Sequence, residues 1–230
     1  TRLGANFYDI YSLFLQLYGN RDDFEEQSLR LVETMAKQYM DRSKQLKTIV
    51  IEREKDYNWF LSQKWVGMAQ YTDGFATNLN GLKDKLHYFQ ELGVNMIHIM
   101  PILQCPDGKS DGGYAVSDCR RVDDRIGTND DLHELSLLLK KRDILLTMDV
   151  VVNHTSNEHD WAKRARQGEK KYQDYYYLFD NREVPDMFEE TMPEIFPENA
   201  PGNFTWDEEM NKWVMTVFND YKGDLINRIP

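Results

Sequence analysis

Between Trp65 and Asn153 three short apolar runs, WVGMAQY, VNMIHIMP and ILLTMDVVV, alternate with two helical patterns, LNGLKDKLHYFQEL and NDDLHELSLLLKKR. Strands that are apolar on both faces and joined by helices form a parallel sheet, because a crossover helix is needed to bring the chain back to the same edge. The order β-α-β-α-β leaves a doubly wound sheet or a (β/α)8 barrel. The first strand-to-helix loop, YTDGFATN, lacks the G-x-G-x-x-G phosphate cradle of a dinucleotide-binding unit. The second and third strands are each followed by long polar-aromatic excursions at their carboxyl ends, where barrel enzymes carry their sites. The expected fold class is therefore α/β, holding the first three strands of a (β/α)8 TIM barrel, whose closure takes eight strands and typically about 250 residues.

The region before the first strand reads as all-helical, residues 1–64. FYDIYSLFLQLY, LRLVETMAKQYM and LKTIVIEREKDYNWFL each repeat apolar residues at three and four, which predicts three helices between Ala5 and about Gln63. Gly19-Asn20 separates the first two, and Asp41-Arg42-Ser43 offers an N-cap for the third. Residues 65–154 form the first part of the barrel.

The formal net charge is −11 and the pI about 5.0, a balance that repels phosphate backbones and anionic lipid. Neither nucleic acid nor a membrane is expected as a partner, and a neutral substrate fits better. No apolar run approaches the roughly 18 residues that span a bilayer, and TRLGANFYDI lacks a signal-peptide pattern. A cytoplasmic location is the expectation, with an upstream export signal left open because the chain starts at Thr1. Two cysteines, Cys105 and Cys119, argue against a disulfide scaffold and against a Cys-rich zinc site; they read as thiols, with a bridge across the loop between them as the lesser alternative.

Two segments can carry chemistry. In PILQCPDGKSDGGYAVSD, after the second strand, Gly112-Gly113 permits a tight turn that presents Asp111 and Tyr114 on either side. A carboxylate can accept hydrogen bonds from adjacent ring hydroxyls while an aromatic face covers the apolar side of a hexose. The alternative is a turn whose Asp caps its own backbone and whose Tyr packs, and these residues alone favour it. In DVVVNHTSNEHDW, Asp149 lies within the third strand and Asn153 and His154 at or just past its end. Inward positions at the carboxyl end of a barrel converge on its axis, where polar side chains serve a purpose. His87, His98, His133 and His159 have no such context and read as ordinary structural residues. Asp149, Asn153 and Asp180 could offer oxygen ligands to calcium, but their spacing matches no calcium loop, and zinc spacings are missing. No metal and no cofactor are expected.

DVVVNHTSNEHDW resembles the first signature region of the α-amylase superfamily of glycoside hydrolases and transglycosidases. Within that superfamily CPDGKSDGGYAVSD, the helical front and YYYLFDNREVPDMFEETMPEIFPENAPGNF resemble the amylosucrase group, which transfers the glucosyl unit of sucrose to an α-glucan. The resemblance implies that Tyr114 stacks beneath the glucosyl ring, Asp111 helps close the pocket, His154 hydrogen-bonds the 6-hydroxyl, and Asp149 and Asn153 orient or support their neighbours. Residues 155–221 would be the small lid-like subdomain inserted after the third strand, with aromatics walling an acceptor cleft or forming its core, and Phe218 as the cleft candidate. The group's retaining mechanism uses a nucleophile and a general acid that it places after later strands, so no catalytic carboxylate is assigned here. Residues 222–230 depart from the group, Gly223 standing where Trp is expected, and read as a truncated or divergent end. The implied partners are sucrose and an α-glucan acceptor. A sucrose hydrolase, an α-glucosidase of the same superfamily and a non-catalytic truncated product are the alternatives, and the oligomeric state stays open.

Overall fold

The computed structural model describes residues 2–56, 58–108, 110, 112–195, 197–198, 201–216 and 225–227. The chain divides into two compact units, residues 1–62 and 63–230.

The first unit holds helices α1 (Arg2–Tyr18), α2 (Phe24–Asp41) and α3 (Lys44–Glu54). Tyr11 and Phe14 of α1 both meet Phe24, the buried first residue of α2, at ring-centroid distances of 5.6 Å. The side chain of Ser43 caps α3 by accepting from Leu46 N. The periodicity predicts that α3 runs on toward Leu61, whereas it stops at Glu54. Asp56 turns its carboxylate back onto Asn58 N at 3.0 Å, a local bond that competes with helix, and a 3-10 turn over Trp59–Leu61 follows. The Arg53 guanidinium covers the Trp59 ring at 3.9 Å.

The second unit begins with β1 (Gly67–Gln70) and a short helix α4 (Thr72–Ala76) in the segment expected to be loop. The single helix expected over 79–92 is two, α5 (Leu79–Asp84) and α6 (Leu86–Glu91), and nothing in the local sequence accounts for the break. The chain turns at Gly93 into β2 (Met96–Ile99). The excursion after β2 contains a hairpin of β3 (Leu103–Gln104) and β4 (Asp118–Val122). Helix α7 (Asn129–Lys140) follows with a full capping box, the Thr128 hydroxyl accepting from Asp131 N and the Asp131 carboxylate accepting from Thr128 N. Next comes β5 (Leu145–Met148), so the third sheet strand ends one residue before Asp149 instead of running through Val152.

Strands β1, β2 and β5 form one parallel sheet in that order, with Gln70 opposite Ile99 and Ile99 opposite Met148. They are three neighbouring strands of the barrel type. One face of β2, Ile97 and Ile99, is fully buried among Leu79, Leu82, Phe89, Leu135 and Leu139 of the crossover helices. Each such side chain contributes roughly 1.5–3 kcal/mol of burial, an upper figure. Because side chains alternate, Ala69, His98 and Thr147 stand side by side on the opposite face, where Ala69 and Thr147 are exposed.

Beyond β5 the chain forms β6 (His154–Ser156), α8 (Asp160–Arg166), α9 (Lys170–Gln173), β7 (Leu178–Phe179), α10 (Glu183–Glu189), β8 (Phe204–Asp207), β9 (Lys212–Met215) and β10 (Leu225–Asn227). β7, β9 and β8 make a small antiparallel sheet, and β6 pairs with β10. Most of the aromatics near this sheet pack with one another: Tyr176 is buried with Ala162, Ala165 and Val214, and Trp161, Tyr172 and Tyr175 surround them.

Candidate functional site

The carboxyl end of the face that carries His98 gathers polar residues. Strand β5 ends at Met148, opposite Ile99, and Asp149 follows with its backbone N–H on Ile99 O at 3.3 Å. Alternation places the Asp149 side chain on the same side as Thr147 and His98. Its carboxylate takes Tyr114 Oη through Oδ2 at 3.0 Å and meets His98 Nε2 through Oδ1 at 2.8 Å. An ionised carboxylate only accepts, so the His98 proton belongs on Nε2.

Tyr114 reaches Asp149 because of the turn before it. Gly112 and Gly113 have φ of 63° and 83°, a region that side chains with a Cβ rarely occupy. A Cβ on Gly112 would lie 2.9 Å from Tyr71 Oη and 3.4 Å from the Tyr114 ring, and one on Gly113 would lie 2.8 Å from Pro101 O. The edge of the Tyr114 ring thus lies beside Gly112, where the missing side chain leaves it room. Burial first, then the Asp149 carboxylate, pushes the Tyr114 phenol up to about 12.

The base of this loop is tied to β4. Asp123, its side chain 3% exposed, accepts from Arg125 Nε and Nη2, both at 2.8 Å, and from Cys105 N at 3.1 Å. Burial works to raise the Asp123 carboxyl, but the Arg125 and backbone N–H bonds outweigh it and hold the group below its ordinary range. Cys105 is buried, its Sγ directed at Gly113 O at 3.2 Å, and no disulfide joins it to Cys119.

His154 is buried at 6% exposure, with Nδ1 3.2 Å from Asn153 Nδ2. Two residues on, Ser156 N donates to Val116 O at 2.9 Å, which fastens β6 beside the segment that carries Tyr114. Burial pushes the His154 imidazole down, opposed by an interaction with the Tyr114 backbone. Of the residues singled out in the sequence, Tyr114, Asp149, Asn153 and His154 are thus brought into one neighbourhood, and Asp111 and Phe218 lie outside the described residues. His98, read as an ordinary strand residue, does lie in β2 and is in addition bonded to Asp149. Tyr71 at the end of β1 also belongs here, its hydroxyl lying against Gly112.

The family description "Alpha amylase, catalytic domain" matches residues 18–230. The chain belongs to the alpha-amylase family. The oligo-1,6-glucosidase of Bacillus cereus is 30% identical over 184 residues, covering 68% of this chain and 32% of that protein. The alpha-glucosidase of Schizosaccharomyces pombe is 33% identical over 158 residues, 66% of this chain and 26% of the relative. A mutant of isomaltulose synthase from Erwinia rhapontici NX5, solved with its natural substrate sucrose, matches with a TM-score of 0.59 at 27% identity, covering 70% of this chain and 29% of that one. The chain accordingly spans about a third or less of the length of these alpha-amylase relatives. Among the described residues no helix is long and apolar enough to cross a membrane.

Proposed function

We propose that this alpha-amylase-family chain supplies the donor-sugar part of a site for an α-glucoside, with sucrose as the substrate, in an enzyme that transfers the glucosyl unit to an α-glucan through a retaining double displacement. The observation that carries this reading is the clasp at Asp149. A phenol held by its hydroxyl over a glycine turn presents its ring as a rigid face for the apolar side of a hexose. His154, next to the segment that carries Tyr114, supplies a neutral imidazole for a hydroxyl, and Asp111 and Phe218 are assigned to the pocket wall and the acceptor cleft. Residues 155–221 would form the inserted lid.

Asp149 is not the nucleophile in this scheme. Both its oxygens take hydrogen bonds, from Tyr114 and from the His98 ring, which hold the carboxylate to its two neighbours. Its role is orientation, and the nucleophile and general acid required for retention are assigned to no residue among the 230.

A second reading follows from the relatives. Oligo-1,6-glucosidase, alpha-glucosidase and isomaltulose synthase suggest hydrolysis or isomerisation with the same donor pocket, the difference being which group attacks the glucosyl-enzyme. The test is to incubate with sucrose a protein that carries these 230 residues together with the nucleophile and general acid, and to analyse the products; turnover by the 230 residues alone would overturn the assignment of both groups outside them. Fructose with glucan supports transfer, equimolar glucose and fructose supports hydrolysis, and a sucrose isomer supports the synthase reading. Absence of sucrose binding would sink the donor-site reading itself.

A further inference from the structure

We infer that His98 is a positioning residue of the sugar site, acting through Asp149 on the Tyr114 ring; this rests on the reading of that site as a glucosyl pocket. His98 sits in the middle of the sheet, between Ala69 and Thr147 on the same face. Its side chain is 41% exposed and that of Asp149 is 26% exposed. A pair this open adds little to fold stability. What it does add is direction. A lone carboxylate at a strand end can rotate about χ1 and χ2, and the Tyr114 hydroxyl by itself fixes only one of its oxygens. The Nε2–H of His98 fixes the other at 2.8 Å, so the carboxylate plane is set from both sides. Tyr114 is then held at its hydroxyl by Asp149 and flanked along one ring edge by Gly112. The chain His98, Asp149, Tyr114 links a rigid strand to an aromatic platform carried on a loop.

The tautomer follows from the same bonds. The bond to Asp149 is made through Nε2, the ring nitrogen farther from Cα. Replacement can therefore test geometry directly, because glutamine carries its amide N–H about as far from Cα as Nε2, while asparagine stops short at about the Nδ1 distance.

The experiment uses the intact protein with tyrosine ring carbons labelled, Tyr114 being assigned from Tyr114→Phe. Sucrose affinity and the Tyr114 phenol titration are measured for His98→Leu, His98→Asn and His98→Gln. The expected result is a roughly tenfold loss of affinity and a displaced Tyr114 resonance and titration in the Leu and Asn variants. His98→Gln should restore both, with affinity within about threefold of the parent. Should His98→Leu fail to fold, the comparison of the two amides, equal in polarity and different in reach, decides the matter. Parental affinity and an unmoved Tyr114 resonance in His98→Asn would overturn the inference, as would a glutamine variant no better than asparagine. Failure of the underlying reading looks different: the parent protein would not bind sucrose, or Tyr114→Ala would bind it undiminished.

Discussion

The Tyr114 hydroxyl donates to Asp149 Oδ2 at 3.0 Å, across 35 residues of sequence, and this bond ties the excursion after β2 to the end of β5. It has a titration consequence. The phenol is pushed up to about 12 by burial and by the Asp149 carboxylate, against an unfolded value near 10. A neutral phenol is thus favoured by the fold: its contribution to stability is complete below about pH 10 and is lost as pH rises toward about 12. Asp149→Asn should lower the Tyr114 pKa toward 10 while leaving it above that value, because burial remains. A ring-carbon titration of the labelled protein checks this, and an unshifted Tyr114 in the Asn variant would contradict the assignment.

Gly113→Ala should damage the site more than Gly112→Ala does. Both positions carry positive φ, which costs a Cβ-bearing residue roughly 1–2 kcal/mol. The added atom on Gly112 would meet Tyr71 Oη, the end of a side chain that can swing aside, whereas on Gly113 it would meet the Pro101 carbonyl, which cannot. The expected outcome is a measurable drop in unfolding free energy for both and a larger loss of sucrose affinity for Gly113→Ala. Equal affinities in the two variants would show that the turn does not position Tyr114.

His154 should make the protein sensitive to mild acid. Its imidazole is held below the ordinary value by burial, so the neutral form belongs to the fold. The stability it confers is present above about pH 6.5 and falls away as pH drops through the depressed folded value. Denaturant melts between pH 7 and pH 5 should show this loss, and His154→Asn, which cannot acquire the charge, should flatten the profile while weakening sucrose binding. A profile unchanged by the substitution would assign the acid sensitivity elsewhere.

These predictions rest on residues that were unequally visible in the sequence. The parallel sheet was legible because its strands are short apolar runs and the intervening segments repeat at helical spacing. Gly112-Gly113 and Asp149 stood out as a turn and as a charge in an apolar run. His98 did not. It lies 51 residues from its partner, and the contact depends on the parallel register that sets Ile99 opposite Met148, which no local pattern encodes. The end of β5 was hidden too, since VVV after Asp149 reads as more strand, yet Val150 and Val152 are 59% and 72% exposed and pair with nothing in the sheet. The alpha-amylase resemblance supplied a weighting that turn chemistry alone could not.

The Asp123–Arg125 pair was likewise silent in sequence, two charges two residues apart in RVDDRIG, and it supports a last prediction. Asp123 is buried while Arg125 is 56% exposed, so the ion pair is screened on one side and its main task is to satisfy the carboxylate and Cys105 N. Asp123→Ala leaves the Cys105 N–H buried without that acceptor and should destabilise the protein by about 1–3 kcal/mol. Arg125→Lys keeps the charge but loses the two-pronged contact through Nε and Nη2, so its cost should be smaller. Because the Asp123 carboxyl is held below its usual range, the stabilisation is present above about pH 4 and disappears as pH falls further. The consequence for function runs through Cys105, whose sulfur lies 3.2 Å from Gly113 O at the foot of the Tyr114 platform. Asp123→Ala should therefore weaken sucrose binding as well as stability, whereas Arg121→Ala, on an exposed side chain outside this contact, should change neither appreciably. Denaturant melts and sucrose titrations on the three variants separate the cases, and an Asp123→Ala protein with parental affinity would detach this buried carboxylate from the site.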